Sequence, residues 1–256
     1  DEQLPPIELS PDTTPKAPAL PGAVVLRQDA DALIDAVLAD LFIHAGNCVR
    51  AFGDFHLAVS ATPEIEPLLR RLMFDLSYRD FPWGRTRVWM VEEVDVPDED
   101  DRQRWPGIRG HITEVSGIPA EQSHQIFARE PDAAHRYTSL LREHLGWREK
   151  GHDRLDFVLL PLQPGLALGG VIGVQSDDDT LVATVPETPR RTAITTRLVN
   201  SARVVALFAA GPQAALGVAQ VIERRANKRQ DLSAPASLLS PRAAELRWYL
   251  DHLACG

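Results

Sequence analysis

Four short apolar runs punctuate the chain: FHLAVS at 55–60, RVWMV at 87–91, DFVLLPL at 156–162 and ARVVALFAA at 202–210. Runs of this length with no polar alternation are expected for strands buried on both faces. Between them lie segments of helical period. After the aspartates at 29 and 31, Leu33, Ile34, Val37, Leu38, Leu41 and Phe42 fall on one helical face. PEIEPLLRRLMFDLS follows the first run, with Pro63 suited to a first helical turn. Ala134, Tyr137, Leu140, Leu141 and Leu145 define a third helix, and QAALGVAQVIERRA a fourth. LVATV and RTAIT read as two further strands, while AELRWYL fits either a final strand or a helix. The alternation predicts an α/β chain with a largely parallel sheet and helices on both faces.

The 256 residues, 44% of them hydrophobic, are sufficient for a substantial core. Residues 1–22 carry six prolines and few large apolar side chains, so they are expected to form an extended or disordered arm outside the core. Residues 23–256 remain as one α/β domain. A net charge of −9 argues against a nucleic-acid surface, which needs a concentrated basic stripe. Cys48 and Cys255 are too few for a disulfide framework and lack metal-site spacing. No apolar run approaches the roughly 18 residues of a membrane span, and no basic-then-apolar leader opens the sequence. A cytoplasmic protein without membrane contact is the simplest expectation.

In parallel α/β sheets ligands gather beyond the carboxyl ends of the strands, which directs attention to the loops after the first three runs. Ser60-Ala61-Thr62-Pro63 follows the first, Glu92-Glu93-Val94 and an acidic stretch follow the second, and LLPLQPGLALGGVIGV at 159–174 contains the third. The acidic stretch reads as a solvated loop. Gly165, Gly169 and Gly170 have GxxxGG spacing rather than GxGxxG, so no nicotinamide cofactor is expected. His135 and His144 are nine apart on one helix and unsuited to share a metal, and no metal site is indicated.

The order of motifs resembles the 6-phosphogluconolactonase family, relatives of glucosamine-6-phosphate isomerase. The resemblance rests on Arg191, Thr192, Asn200, Ala202, Arg203 and Gly211 in PRRTAITTRLVNSARVVALFAAGPQAALGVAQVI. It continues through Pro235, Ala236, Ser237, Trp248, Leu250, Asp251 and Ala254, with IPAEQSHQI leading into DAAHRY upstream. It implies a Rossmann-like fold, a sugar-phosphate ligand, and hydrolysis of a lactone in carbohydrate (pentose phosphate) metabolism without a cofactor.

Three loops depart from the family pattern. The family's glycine pair after its first strand, able to approach a phosphate closely, is absent around Ser60 and Thr62. Its Asp-Glu-Arg triplet is Glu92-Glu93-Val94, without the positive charge. Its Asp-Gly-His run is replaced by an aliphatic segment offering no histidine, carboxylate or serine before Ser176, and an aliphatic side chain cannot accept a proton. The lysine commonly found just after Gly211 is missing too. The resemblance therefore implies a lactonase-like protein with hydrolysis impaired or lost, a pseudoenzyme.

Ser60, Thr62 and Arg191 are the candidate substrate-binding residues. Glu92 and Glu93 are the candidate bases, although a strand-terminal carboxylate is equally suited to being solvated or paired. His111 or His124 is a further candidate if either folds over the strand ends. The alternative function is a non-catalytic sugar-phosphate sensor, or an interaction module whose apolar 159–174 loop meets a protein partner.

Overall fold

The computed structural model describes residues 16–150, 154–175, 177–226, 231–240 and 245–255. In chain order the strands are β1 (Ala23–Arg27), β2 (Phe55–Val59), β3 (Thr86–Met90), β4 (Glu92–Val94), β5 (Ser123–His124), β6 (Phe157–Pro161), β7 (Val182–Val185), β8 (Arg191–Ile194), β9 (Val204–Ala209) and β10 (Glu245–Asp251). The α-helices are α1 (Ala30–Phe52), α2 (Glu66–Phe74), α3 (Trp105–Ile108), α4 (Ala133–Leu145), α5 (Thr196–Ser201) and α6 (Pro212–Ala226).

Seven strands form a wholly parallel sheet in the order β1-β10-β9-β6-β2-β3-β5. Every residue of β2, β6 and β9 is buried, as expected when helices cover both faces. The fold is thus an α/β sheet of Rossmann-like organisation, as the alternation predicts. AELRWYL resolves as strand β10, paired in parallel with both β1 and β9.

β4, β7 and β8 stand apart. They form a second, antiparallel sheet in the order β4-β8-β7. Glu92 and Glu93 therefore do not end a strand of the main sheet but lie on a short strand that leaves it. The Val91 carbonyl, which accepts the Ile194 N–H at 2.9 Å, marks the handover.

Helix α1 starts at an Asp29 cap, whose Oδ1 accepts the Ala32 N–H at 2.8 Å, and ends at Gly53 in the left-handed region. At 23 residues it is long and apolar enough, by length and composition, to cross a membrane. Asp35 and Asp40 interrupt its apolar run without making it polar overall. Its Leu33, Val37, Leu38 and Leu41 are buried in the core.

Part of the proline-rich arm also belongs to the packed structure. Leu20 packs against the core, and the Pro21 carbonyl accepts the Trp248 indole N–H at 2.8 Å. Gly22, at φ +87, lies so close to Leu246 that a Cβ there would stand 2.2 Å from its carbonyl oxygen. Residues 1–15 of the arm lie outside the described residues.

Candidate functional site

The carboxyl ends of β2 and β6, with β4 and β8 beside them, bring the three loops together. Ser60 follows β2 directly and is buried; its hydroxyl donates to the Gly169 carbonyl at 3.0 Å. The first and third loops therefore touch through their polar groups. Gln163 strengthens the junction by donating its amide to Glu64 at 3.2 Å. Burial works to raise the Glu64 carboxyl, but its own backbone N–H, the Thr62 hydroxyl, the Gln163 amide and the Arg104 charge outweigh it and hold the group below its ordinary range.

Thr62 is buried beside this junction, away from open solvent. Gly107 of α3 covers Ala61 between them, with a Cβ at Gly107 falling 3.4 Å from the Ala61 Cβ. The loop around Ser60 is enclosed by protein on two sides.

Successive residues of a strand face opposite ways, and β4 shows the consequence. Glu92 faces the third loop, with its side chain only 11% exposed. Its Oε1 lies 3.3 Å from Arg104 Nε and its Oε2 lies 3.3 Å from Arg191 Nη1. Arg191 also donates to the Gly170 carbonyl and lies 3.2 Å from Glu187. Glu93 faces the other way. Its carboxylate accepts the backbone N–H groups of Val94, Arg104 and Trp105 at 2.8–2.9 Å, capping the start of α3. Burial raises its pKa, and these three donors only partly oppose the shift. As an acceptor already committed to three N–H groups, Glu93 is a structural cap rather than a base aimed at a substrate.

The charge missing from the Glu-Glu-Val triplet has a counterpart. Arg104, from the end of the acidic stretch, places a guanidinium on Glu92, so two cations flank that carboxylate. The missing glycine pair has a counterpart as well. Gly169 (φ +51) and Gly170 (φ +94) press on the first loop and on Glu92, where Cβ atoms would stand 2.1 Å from Ser60 Oγ and 1.6 Å from Glu92 Oε2.

The aliphatic side chains of the third loop point inward. Leu162, Leu166, Leu168, Val171 and Ile172 are all buried. This corrects the expectation of an apolar docking loop: packing in the interior stabilises these side chains more than exposure to a partner would, and Gln163, Pro164, Gly165 and Ala167 are left nearest the surface.

Neither candidate histidine folds over the strand ends. His124 sits on β5 beside Trp89, their ring centroids 3.8 Å apart. Desolvation, helped by the His144, Arg87 and His56 charges, lowers its pKa to about 3. His111 lies in a π-helical turn after α3, with Nδ1 2.8 Å from the Gly107 carbonyl and Nε2 3.2 Å from Glu66. Both ring nitrogens are thus engaged by protein oxygens. Among the described residues, no three His, Cys, Asp or Glu side chains gather as a metal site.

Ser60, Glu92 and Arg191 are thus brought together, Thr62 is buried beside the first loop, and Glu93 is turned away. Sequence reasoning missed Arg104, Gly169 and Gly170. The basic residues within DRQRWPG were the available signal for the first. Several of the residues shared with the lactonases are structural. Asn200 bridges to the Leu238 carbonyl and the Ser240 N–H, Arg203 reaches the buried Asp156 at 3.3 Å, and Asp251 accepts the Gly211 and Ala254 N–H groups.

Comparison with known proteins extends this. The chain is 26% identical over 242 residues, 87% of its length, to the human GDH/6PGL endoplasmic bifunctional protein, and it spans 29% of that relative's length. The structure is similar to that of 6-phosphogluconolactonase from Thermotoga maritima, with a TM-score of 0.73 at 17% identity over 90% of this chain and 99% of the other. It also resembles a monomeric glucosamine-6-phosphate deaminase, with a TM-score of 0.71 at 15% identity over 91% and 98%. The strand order, the structural tail residues and a family match spanning residues 28–165, more than half of the sequence, converge: the chain belongs to the glucosamine-6-phosphate isomerases/6-phosphogluconolactonase family.

Proposed function

We propose that this protein binds a sugar phosphate at the Glu92–Arg104–Arg191 site, in the manner of a 6-phosphogluconolactonase, with its capacity for lactone hydrolysis impaired or lost. The observation that carries the reading is the third loop. It turns Leu166, Leu168 and Val171 into the core and sets the Gly169–Gly170 backbone against Ser60 and Glu92, so it supplies no proton acceptor to an attacking water. Of the two candidate bases Glu92 remains, and both its oxygens already face guanidinium groups. Water would have to displace one of them. Arg104 and Arg191 keep part of their side chains accessible, and guanidinium groups bind phosphate bidentately, which supports retention of the anionic end of the ligand.

The test is hydrolysis of 6-phosphogluconolactone by purified protein, set beside calorimetric binding of 6-phosphogluconate. The expected result is turnover indistinguishable from the spontaneous rate, together with saturable binding that Arg191→Ala and Arg104→Ala each weaken about tenfold or more. Turnover well above the spontaneous rate and abolished by Glu92→Gln overturns the loss of hydrolysis. Absence of 6-phosphogluconate binding overturns the ligand assignment.

A further inference from the structure

A second cleft lies at the opposite, amino-terminal end of the parallel strands, with a volume of about 290 Å³. Phe52 borders it from the end of α1, Asp54 from the α1–β2 connection, Arg85 from the turn before β3, Arg87 from β3 itself, Gln122 from the approach to β5, and Trp147 from just beyond α4.

The charge around this cleft does not cancel. Asp54 and the fully buried Asp156 are the nearby carboxylates, and both are engaged from below: Arg148 pairs with the two of them and Arg203 reaches Asp156 at 3.3 Å. Two carboxylates thus meet two guanidinium groups. Arg85 and Arg87 add two further guanidinium groups. Arg87 makes only loose contacts, 4.0 Å from Asp54 and 3.4 Å to the Glu121 carbonyl. Arg85 is exposed and has no ion-pair partner among the described residues. Arg85 closes the turn that leads into β3 and Arg87 lies within the strand; both line the cleft and offer it two guanidinium groups, each able to grip a phosphate.

Beside them stands an aromatic surface. Trp147 is 59% exposed, a large apolar ring left in water, whereas Trp83, Trp89 and Trp248 are buried. The Gln122 amide nitrogen is already committed to the Trp83 and Thr86 carbonyls, which fixes its side chain at the wall. The cleft is at the small end of the volumes that hold ligands, suited to one ring and one anionic group rather than to a dinucleotide.

We propose that this cleft binds a phosphomonoester joined to a planar ring, the chemistry of a mononucleotide, with the phosphate between Arg85 and Arg87 and the ring on Trp147. The site is separate from the sugar-phosphate site at the other end of the sheet and does not depend on that reading.

Adenosine monophosphate is the probe, followed by calorimetry and by quenching of tryptophan emission. Saturable binding is expected, with Arg85→Gln and Arg87→Gln each weakening it about tenfold or more. Arg85→Gln changes an exposed side chain, so its unchanged circular dichroism separates lost binding from lost fold. Ribose 5-phosphate, lacking the ring, and adenosine, lacking the phosphate, are both expected to bind more weakly, and Trp147→Ala is expected to erase the preference over ribose 5-phosphate. Arg191→Ala is expected to leave binding unchanged. No saturable signal up to about 5 mM, a range that captures even weak complexes, overturns the proposal. So does binding that survives Arg87→Gln but is lost in Arg191→Ala, and a ring preference that survives Trp147→Ala overturns the stacking.

Discussion

A Cβ on Gly170 would stand 1.6 Å from Oε2 of Glu92, so the carboxylate occupies the space that any other residue at 170 would need. Gly170→Ala must therefore displace the Glu92 side chain, and it must do so at φ +94, where alanine is strained. A loss of about 2–4 kcal/mol is expected in urea unfolding. Combining it with Glu92→Ala removes the clash with the carboxylate but leaves the Cβ at position 92, 2.6 Å away, and the strain, so the double variant should lose less than the two single losses summed.

Glu93→Gln separates a cap from a base. The amide retains one acceptor oxygen where the carboxylate offers two to the Val94, Arg104 and Trp105 N–H groups, and its NH₂ meets donors. Stability is expected to fall by about 1–3 kcal/mol, measured by urea unfolding. Binding of 6-phosphogluconate should weaken only in so far as Arg104 shifts. A variant as stable as the parent sinks the capping role.

Protonation of His124 is coupled to folding. Its folded pKa of about 3 lies below the ordinary value of 6.5, so the unfolded chain binds the extra proton across that window. The contribution to stability is full above pH 6.5 and is lost progressively as the pH falls towards 3. His124→Phe keeps a ring against Trp89 without the titrating nitrogen. Urea midpoints recorded from pH 7 to pH 4 should fall less steeply in this variant than in the parent.

Arg148 carries the largest expected cost of a single truncation. Its side chain is 1% exposed and pairs with both Asp54 and Asp156, the latter with no exposure at all. Arg148→Ala strips both of its guanidinium contacts from the buried Asp156 carboxylate, and a loss of about 3–5 kcal/mol is expected by thermal or urea unfolding. Arg148→Lys should keep only part of this stability, because one ammonium cannot reproduce the forked contacts.

How far the sequence revealed these features depends on what each one is made of. Buried parallel strands announce themselves, because β2, β6 and β9 are apolar on both faces and no other element demands that over so few residues. The 159–174 segment was legible as aliphatic but not as internal, since composition does not tell a surface patch from a loop folded inward. Glu92 and Glu93 look alike in sequence. Only the pleat of β4 sends one towards two arginines and the other under α3, and only the path of the 95–104 stretch decides that Arg104 arrives there. The Arg148 cluster gave no sequence signal, because its partners are contributed from positions 54 and 156, far apart along the chain.

The membrane-like character of α1 has a consequence for how the chain is made. α1 packs against β1, β2, α2 and β10, and among the described residues β1 pairs only with β10, the last of the described strands. A nascent chain therefore carries a greasy 23-residue helix with an unfinished cover until some two hundred further residues have been synthesised. During that interval the segment is a substrate for holding chaperones, and stalling the ribosome before Glu245, which prolongs the interval, should increase capture by them.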